Sequence, residues 1–143
     1  MEENFIIRNL DINDYGILEV LQELSVVDDM TEEEFYINYS KILINKRILV
    51  IEYILTRKII GTGSIFFEYK FIHNIGCVGH IEDVVIKNDY RNKNLGKILI
   101  ENLINIGREF GCYKIILDCN VNNVKFYEKC GFKQKEICMA KYF

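Results

Sequence analysis

Hydrophobic and polar positions change their period several times along the chain, and each change marks an element. "FIIRN" (Phe5 to Asn9) is a short apolar run of strand type. Asp11, with Asp14 three residues on, offers a helix N-cap, and Ile17, Leu18, Leu21 and Leu24 then follow at helical spacing. "TEEEF" is a second start signal. Thr31 and Glu34 have the spacing of a capping box with acids in the first turn, which predicts a helix to about Ile44. The pattern then turns β-rich. "RILVIEYIL" and "KIIGTGSIFFEYK", with a polar "TRK" between them, read as a hairpin. "GCVGHIEDVVIK" reads as a further strand. Leu95, Leu99, Leu103, Ile106 and Phe110 define one face of an amphipathic helix that Gly111 is placed to end. "YKIILDCN" is a buried-type strand, "NVNNVKFYEKCGF" a short helix ending at Gly131, and "KQKEICMAKYF" a closing strand. The order β-α-α-β-β-β-α-β-α-β predicts one mixed α/β (α+β) domain over residues 1–143. Its front half is antiparallel, with one right-handed crossover giving a parallel pair.

Composition narrows the class. Of 143 residues, 50% are hydrophobic and 27% charged, the balance of a soluble globular domain. A net charge of −3 gives no overall basic field for nucleic acid. No apolar run approaches the ~18 residues that span a bilayer. "MEENFIIRNL" lacks the basic and long apolar regions of a signal peptide, and the five cysteines, odd in number, suggest reduced thiols. The expectation is a cytoplasmic protein with no membrane and no nucleic-acid partner. No CxxC pair occurs, and neither histidine lies by a cysteine pair, so no metal is expected.

Four stretches carry candidate chemistry. "YRNKNLGKILI" places Arg91, Lys93, Lys97 and Gly96 at the start of the Leu-rich helix, where an anion would meet free amides and the positive helix end. It matches neither GxGxxG nor the P-loop, and on its own residues an anion loop and a solvated connection both stay open. "GHIEDVVI" sets Glu82 and Asp83 in an apolar strand, where alternation predicts one acid on each face. "ILDCNVNNVKFYEK" places Asp118 near a strand end, then Asn120, Asn122 and Asn123, with Tyr127 one turn beyond Asn123. Plain caps and a packed tyrosine explain that stretch equally well. "EYKFIHN" places Lys70 and His73 three residues apart, and a solvent-facing hairpin end is the simple alternative.

The order of these pieces resembles the GCN5-related N-acetyltransferase (GNAT) superfamily: an acidic strand, a basic loop opening a helix, a strand ending in Asp, and an Asn-to-Tyr helix closed by "GF". "GHIED", "GCYKIILDC" and "NVKFYEKCGF" are long and unusual, and they resemble the glucosamine 6-phosphate N-acetyltransferase family within it. The resemblance is strong from Gly76 to Phe132 and extends over the chain in element order.

The resemblance implies acetyl transfer from acetyl-CoA to the 2-amino group of glucosamine 6-phosphate, a step toward UDP-N-acetylglucosamine. It implies direct attack in a ternary complex, without acyl-enzyme or metal. Arg91 and the amides of Asn92, Lys93, Asn94, Leu95, Gly96 and Lys97 would hold the CoA pyrophosphate. The family pattern asks for glycine where this chain has Asn94, and Asn tolerates positive φ. The backbone of Val84, Val85 and Ile86 would pair with the pantetheine arm. Asn123 and Tyr127 would lie by the thioester, with Tyr127 stabilising or protonating the leaving group. Glu82, Asp83 and Asp118 match sugar-side positions, Asp118 orienting the amine through its carbonyl. Ser25, Lys70, His73, Tyr113 and Lys114 match further sugar or phosphate contacts, and Lys141 stands in a region where the family carries arginine. A homodimer with shared sites is implied. A route through Cys119 lacks an adjacent histidine. Another amine acceptor, peptide or polyamine, and a non-catalytic acyl-CoA-binding module remain as alternatives.

Overall fold

The computed structural model describes residues 4–143. Among them five strands form one sheet in the order β1-β2-β3-β4-β5: Phe5–Asn9, Lys46–Tyr53, Lys58–Tyr69, Cys77–Ile86 and Cys112–Ile116. The first three junctions are antiparallel and β4–β5 is parallel, as the crossover requires. Helices α1 (Ile17–Leu21) and α2 (Glu32–Ile42) lie between β1 and β2 in sequence. A single turn α3 (Ile72–Ile75) joins β3 to β4. The long helix α4 (Leu95–Glu109) makes the crossover, and α5 (Val124–Lys129) follows β5.

Local chemistry accounts for most of these bounds. Thr31 Oγ1 accepts from the Glu34 amide at 3.1 Å, while the Glu34 carboxylate accepts from the Thr31 amide at 2.9 Å, so the capping box starts α2 as its spacing predicts. Asp11 behaves differently. Its carboxylate accepts from the Asn13 amide and caps a turn, and the helix begins only after Gly16. Arg8 bonds the Asp14 carboxylate at 2.7 and 3.0 Å and reaches Glu52 at 3.0 Å, which ties β1, β2 and the approach to α1 together.

Two cores sandwich the sheet. On one face Leu49, Ile51, Ile65, Phe67 and Ile81 pack on Leu95, Leu99 and Leu103 of α4, at the spacing read from the sequence. On the other, Val50, Ile59 and Val85 pack on Ile17, Val20 and Phe35 of α1 and α2. Phe110, the C-cap of α4, lies at the rim of that face. It is half out in water, stacked on Phe67 with centroids 4.2 Å apart.

Two expectations need correction. The acids of β4 do not fall on opposite faces, because the β3–β4 register shifts between Thr62 and Ser64. Asp83 takes up the extra residue at φ 51°, and both Glu82 and Asp83 are exposed. The bulge also exchanges the faces of the strand. Gly79 and Ile81 face α4 before it, and Val84 and Ile86 face α4 after it. The second correction concerns "KQKEICMAKYF". Among the described residues, those from Phe132 to the end form no strand, and Ile137, Met139, Tyr142 and Phe143 stand in solvent. Strand-like composition makes a strand only against a partner edge, and this chain places none beside its tail.

Candidate active site

The ladder between β4 and β5 runs from Cys77↔Cys112 to His80↔Ile116 and stops. β4 continues to Ile86, paired only with β3 on its other side. Its edge from Ile81 to Ile86 therefore lies open toward the chain that leaves β5. That open edge includes Val84, Val85 and Ile86, and its backbone is available to an extended ligand.

At the end of β4 the chain turns into the Arg91–Lys97 stretch. Arg91 folds back, its Nε donating to the Ile86 carbonyl at 2.9 Å, so the guanidinium braces the loop against the strand it leaves. Asn92 and Asn94 adopt left-handed conformations, φ 64° and 63°, with Lys93 between them. Asn94 is the N-cap of α4 and its side chain caps nothing. Its left-handed conformation is one that asparagine and glycine adopt more readily than other residues. Leu95 is buried in the core, which fixes the helix start, while Gly96 and Lys97 continue the first turn. Gly96 also permits a close approach: a Cβ there would lie 3.3 Å from Phe126 Cζ, so its lack of a side chain lets α5 pack beside the start of α4.

That packing sets Tyr127. Its ring lies 5.0 Å from Phe126 and 6.0 Å from Phe132, both edge-on. Burial, then Cys119, Cys130 and Asp118, push its hydroxyl pKa up to about 12. Asn123, at the head of α5, is exposed and uses no side-chain cap. Cys119 is exposed beyond the end of β5.

The acids meet on the sheet face opposite α4. Glu82 is raised above an ordinary carboxylate by partial desolvation, then by Asp118 and Asp83, with His80 and Lys46 acting the other way. Asp118 thus lies across the open end of the ladder from Glu82. Ser64 Oγ donates to the Glu82 carbonyl at 3.0 Å and holds the strand at the bulge. Strand alternation places His80 on the same face as Glu82, and the register sets Phe66, Glu68 and Lys114 beside it. Lys114 Nζ lies 5.8 Å from the Tyr113 ring centre, and His73 stacks on that ring at 4.2 Å. Gly76 makes room for the ring, since a Cβ there would come within 2.7 Å of Tyr113 Cδ1. The loop behind it is strained: His73, Asn74 and Ile75 have φ of 52°, 58° and 57°. Lys70 Nζ lies 3.5 Å from Glu68. Glu82 and Asp83 thus lie on β4, Tyr113 and Lys114 on β5, Asp118 two residues beyond β5, and Lys70 and His73 in the loop between β3 and β4. Ser25 stands apart: it ends the α1 turn, exposed, with its amide on the Leu21 carbonyl.

Residue-by-residue reading missed His80, Glu68 and Lys46. His80 Nε2 is 2.9 Å from Glu68 Oε1. The available signal was the two-residue offset between His80 and Glu82, which puts both on one face of any strand.

The comparisons agree with this geometry. Residues 15–132 match the model of the acetyltransferase (GNAT) family. A glucosamine 6-phosphate N-acetyltransferase of Arabidopsis thaliana is 46% identical, covering 100% of this chain and 99% of its own. Glucosamine 6-phosphate N-acetyltransferase 1 of Dictyostelium discoideum is 45% identical over 99% of this chain and 93% of its own. The crystal structure of the Arabidopsis enzyme superposes with a TM-score of 0.94, at 45% identity and 99% coverage of both chains. The chain belongs to the acetyltransferase (GNAT) family, among the glucosamine 6-phosphate N-acetyltransferases.

Proposed function

We propose that the protein transfers the acetyl group of acetyl-CoA to the 2-amino group of D-glucosamine 6-phosphate, giving N-acetyl-D-glucosamine 6-phosphate and CoA on the way to UDP-N-acetylglucosamine. The observation that carries the reading is the early end of the β4–β5 ladder, which leaves β4 open from Ile81 to Ile86 with Glu82 on that stretch. Near full-length identity to enzymes named for this reaction supports it.

The residues present suit acetyl-CoA, which brings an activated acetyl thioester. The open edge of β4 offers backbone groups to the pantetheine arm along Val84, Val85 and Ile86. The amides from Asn92 to Lys97 sit at the positive end of a 15-residue helix, suited to a pyrophosphate. Arg91 keeps that loop in place through Ile86. Asn123, the N-cap of α5, and Tyr127, one turn into it, would line the far side of the opening.

Chemistry falls to the groups around the opening. Most of the rate comes from holding amine and thioester in line, with hydrogen bonds to the developing charge. Glu82, whose carboxyl is raised, accepts the amine proton, and Asp118 orients the nitrogen. Lys70, Lys114 and His73 face the sugar phosphate. Tyr127, its hydroxyl pKa near 12, stays protonated through the working range. A thiol's ordinary pKa of about 8.5 makes full proton transfer from such a phenol uphill. Tyr127 therefore acts chiefly by donating a hydrogen bond to the departing sulfur.

The tail suits a homodimer. Ile137, Met139, Tyr142 and Phe143 are exposed, as are Phe71, Ile72 and Ile75 in the strained loop. A tail from one copy laid over the sheet face of another would bury both sets and bring Lys141 toward the partner's phosphate site. Deletion of residues 133–143 should turn a dimer into a monomer in sedimentation velocity and raise KM for the sugar phosphate about tenfold or more. A truncated protein that stays dimeric would refute the exchange.

The function is tested by CoA thiol release with glucosamine 6-phosphate, glucosamine, a polyamine and a peptide as acceptors. Only the sugar phosphate should give high kcat/KM. Equal rates with glucosamine would refute the phosphate contacts, and release with none would leave only acyl-CoA binding. Tyr127→Phe should lower kcat by about 10- to 100-fold, the scale of a lost hydrogen bond to developing charge, with acetyl-CoA affinity nearly unchanged. An unchanged kcat would remove Tyr127 from the leaving-group role.

A further inference from the structure

One polar pair on the acceptor face has no part in the reaction as drawn above. His80 Nε2 lies 2.9 Å from Glu68 Oε1, and the same oxygen lies 3.5 Å from Lys70 Nζ. The Phe66 ring, on the strand opposite, has its centre 5.6 Å from the imidazole. The imidazole is thus fixed at one nitrogen by a carboxylate and flanked by an aromatic ring. His80 stands two residues before Glu82 on β4, so both side chains project from the same face. The bulge comes only after Glu82, at Asp83, and does not disturb that relation.

Resting on the acetyltransferase reading of this site, we propose that His80, clamped by Glu68, is a positioning residue for Glu82: it supplies the countercharge that keeps the Glu82 carboxylate ready to take the proton of the acceptor nitrogen. The step needs that readiness. The nitrogen forms its bond to the acetyl carbon, the C–S bond breaks with its electron pair on sulfur, and the nitrogen's surplus proton passes to Glu82. The sulfur then takes a proton from solvent, with Tyr127 donating a hydrogen bond to it meanwhile.

The charges around the imidazole make the role specific. β3 presents Glu68 and Lys70, β2 presents Lys46, β4 presents Glu82 and Asp83, and β5 with its following residues presents Lys114 and Asp118. Glu82, Asp83 and Asp118 form one patch of like charge, which by itself favours a protonated Glu82. Lys70 is engaged with Glu68, and Lys114 lies over Tyr113. His80, two residues from Glu82 on the same strand face, and Lys46 are the basic side chains that act on Glu82 against this repulsion.

The pH dependence of kcat/KM for glucosamine 6-phosphate decides the matter, measured from about pH 5 to 9, the range that brackets histidine and a raised carboxyl, in the wild type, His80→Gln and Glu68→Gln. The substrate's own amine and phosphate titrate identically in all three and cancel in the comparison. His80→Gln keeps a hydrogen bond within reach of Glu68 but carries no charge. It should move the acid limb up by about half a unit to one unit, the scale of one screened charge at this range. Glu68→Gln should move it the same way by less. The three profiles should converge within about twofold at the alkaline end, where Glu82 is ionised in each. A drop of equal size at every pH, or an acid limb that stays in place, would overturn the proposal and leave the pair a packing feature. If His80→Gln does not fold, as circular dichroism would reveal, Glu68→Gln decides by the same criterion. Failure of the wild type to acetylate the sugar phosphate at any pH is a separate result that would remove the functional reading itself.

Discussion

The structure depends on an interrupted parallel ladder. β4 and β5 bond from Cys77↔Cys112 to His80↔Ile116, and then β4 runs on alone to Ile86. An unpaired strand edge inside a fold is costly unless solvent or a ligand meets it. The neighbouring elements keep that edge open. Gly96 lets Phe126 approach within contact distance of the α4 start, which sets α5 across the gap from β4. Arg91 ties the loop before α4 to the last carbonyl of the strand. The cleft is therefore framed by core packing and backbone bonds, and its groups are in place before a ligand arrives.

The bulge at Asp83 supplies the second half of the arrangement. With strict alternation, the acid after Glu82 would point into the α4 core, where an unpaired carboxylate is strongly disfavoured. The extra residue instead leaves both acids in water and returns Val84 and Ile86 to the α4 core. Clustering Glu82, Asp83 and Asp118 has an electrostatic consequence. Together with partial desolvation, the larger cause, it raises Glu82 above an ordinary carboxylate, and it makes the cluster sensitive to any cation placed beside it. On the opposite wall, desolvation keeps the Tyr127 hydroxyl protonated. Glu82 and Tyr127 are thus both shifted by their surroundings, in each case with desolvation as the largest cause.

Elements whose causes are local could be read from the sequence. The Thr31–Glu34 box, the Leu95–Leu99–Leu103 stripe and the hairpin around "TRK" carry their instructions within a few residues, and they fold as their spacing predicts. Asp11 misled because an Asx turn and a helix cap use the same side chain. The acids of β4 misled because a bulge depends on which β3 residues lie opposite, and alternation along one strand contains no such information. The tail misled for a related reason. A strand is a relation between two edges, and "KQKEICMAKYF" has the composition without an edge in its own chain. His80 and Glu68 lie twelve residues apart and meet only through the β3–β4 register. Motif resemblance identified the family because it carries long-range information that the residues themselves do not display.

The central claim is that the open edge of β4 and the turn into α4 receive acetyl-CoA. Amide hydrogen exchange, with and without acetyl-CoA, tests it directly, since a ligand paired to a strand edge protects the amides it bonds. The account predicts added protection within Glu82–Ile86 and across Asn92–Lys97, with β1 and β2 unchanged. Protection confined to other segments, or none at saturating acetyl-CoA, would contradict it.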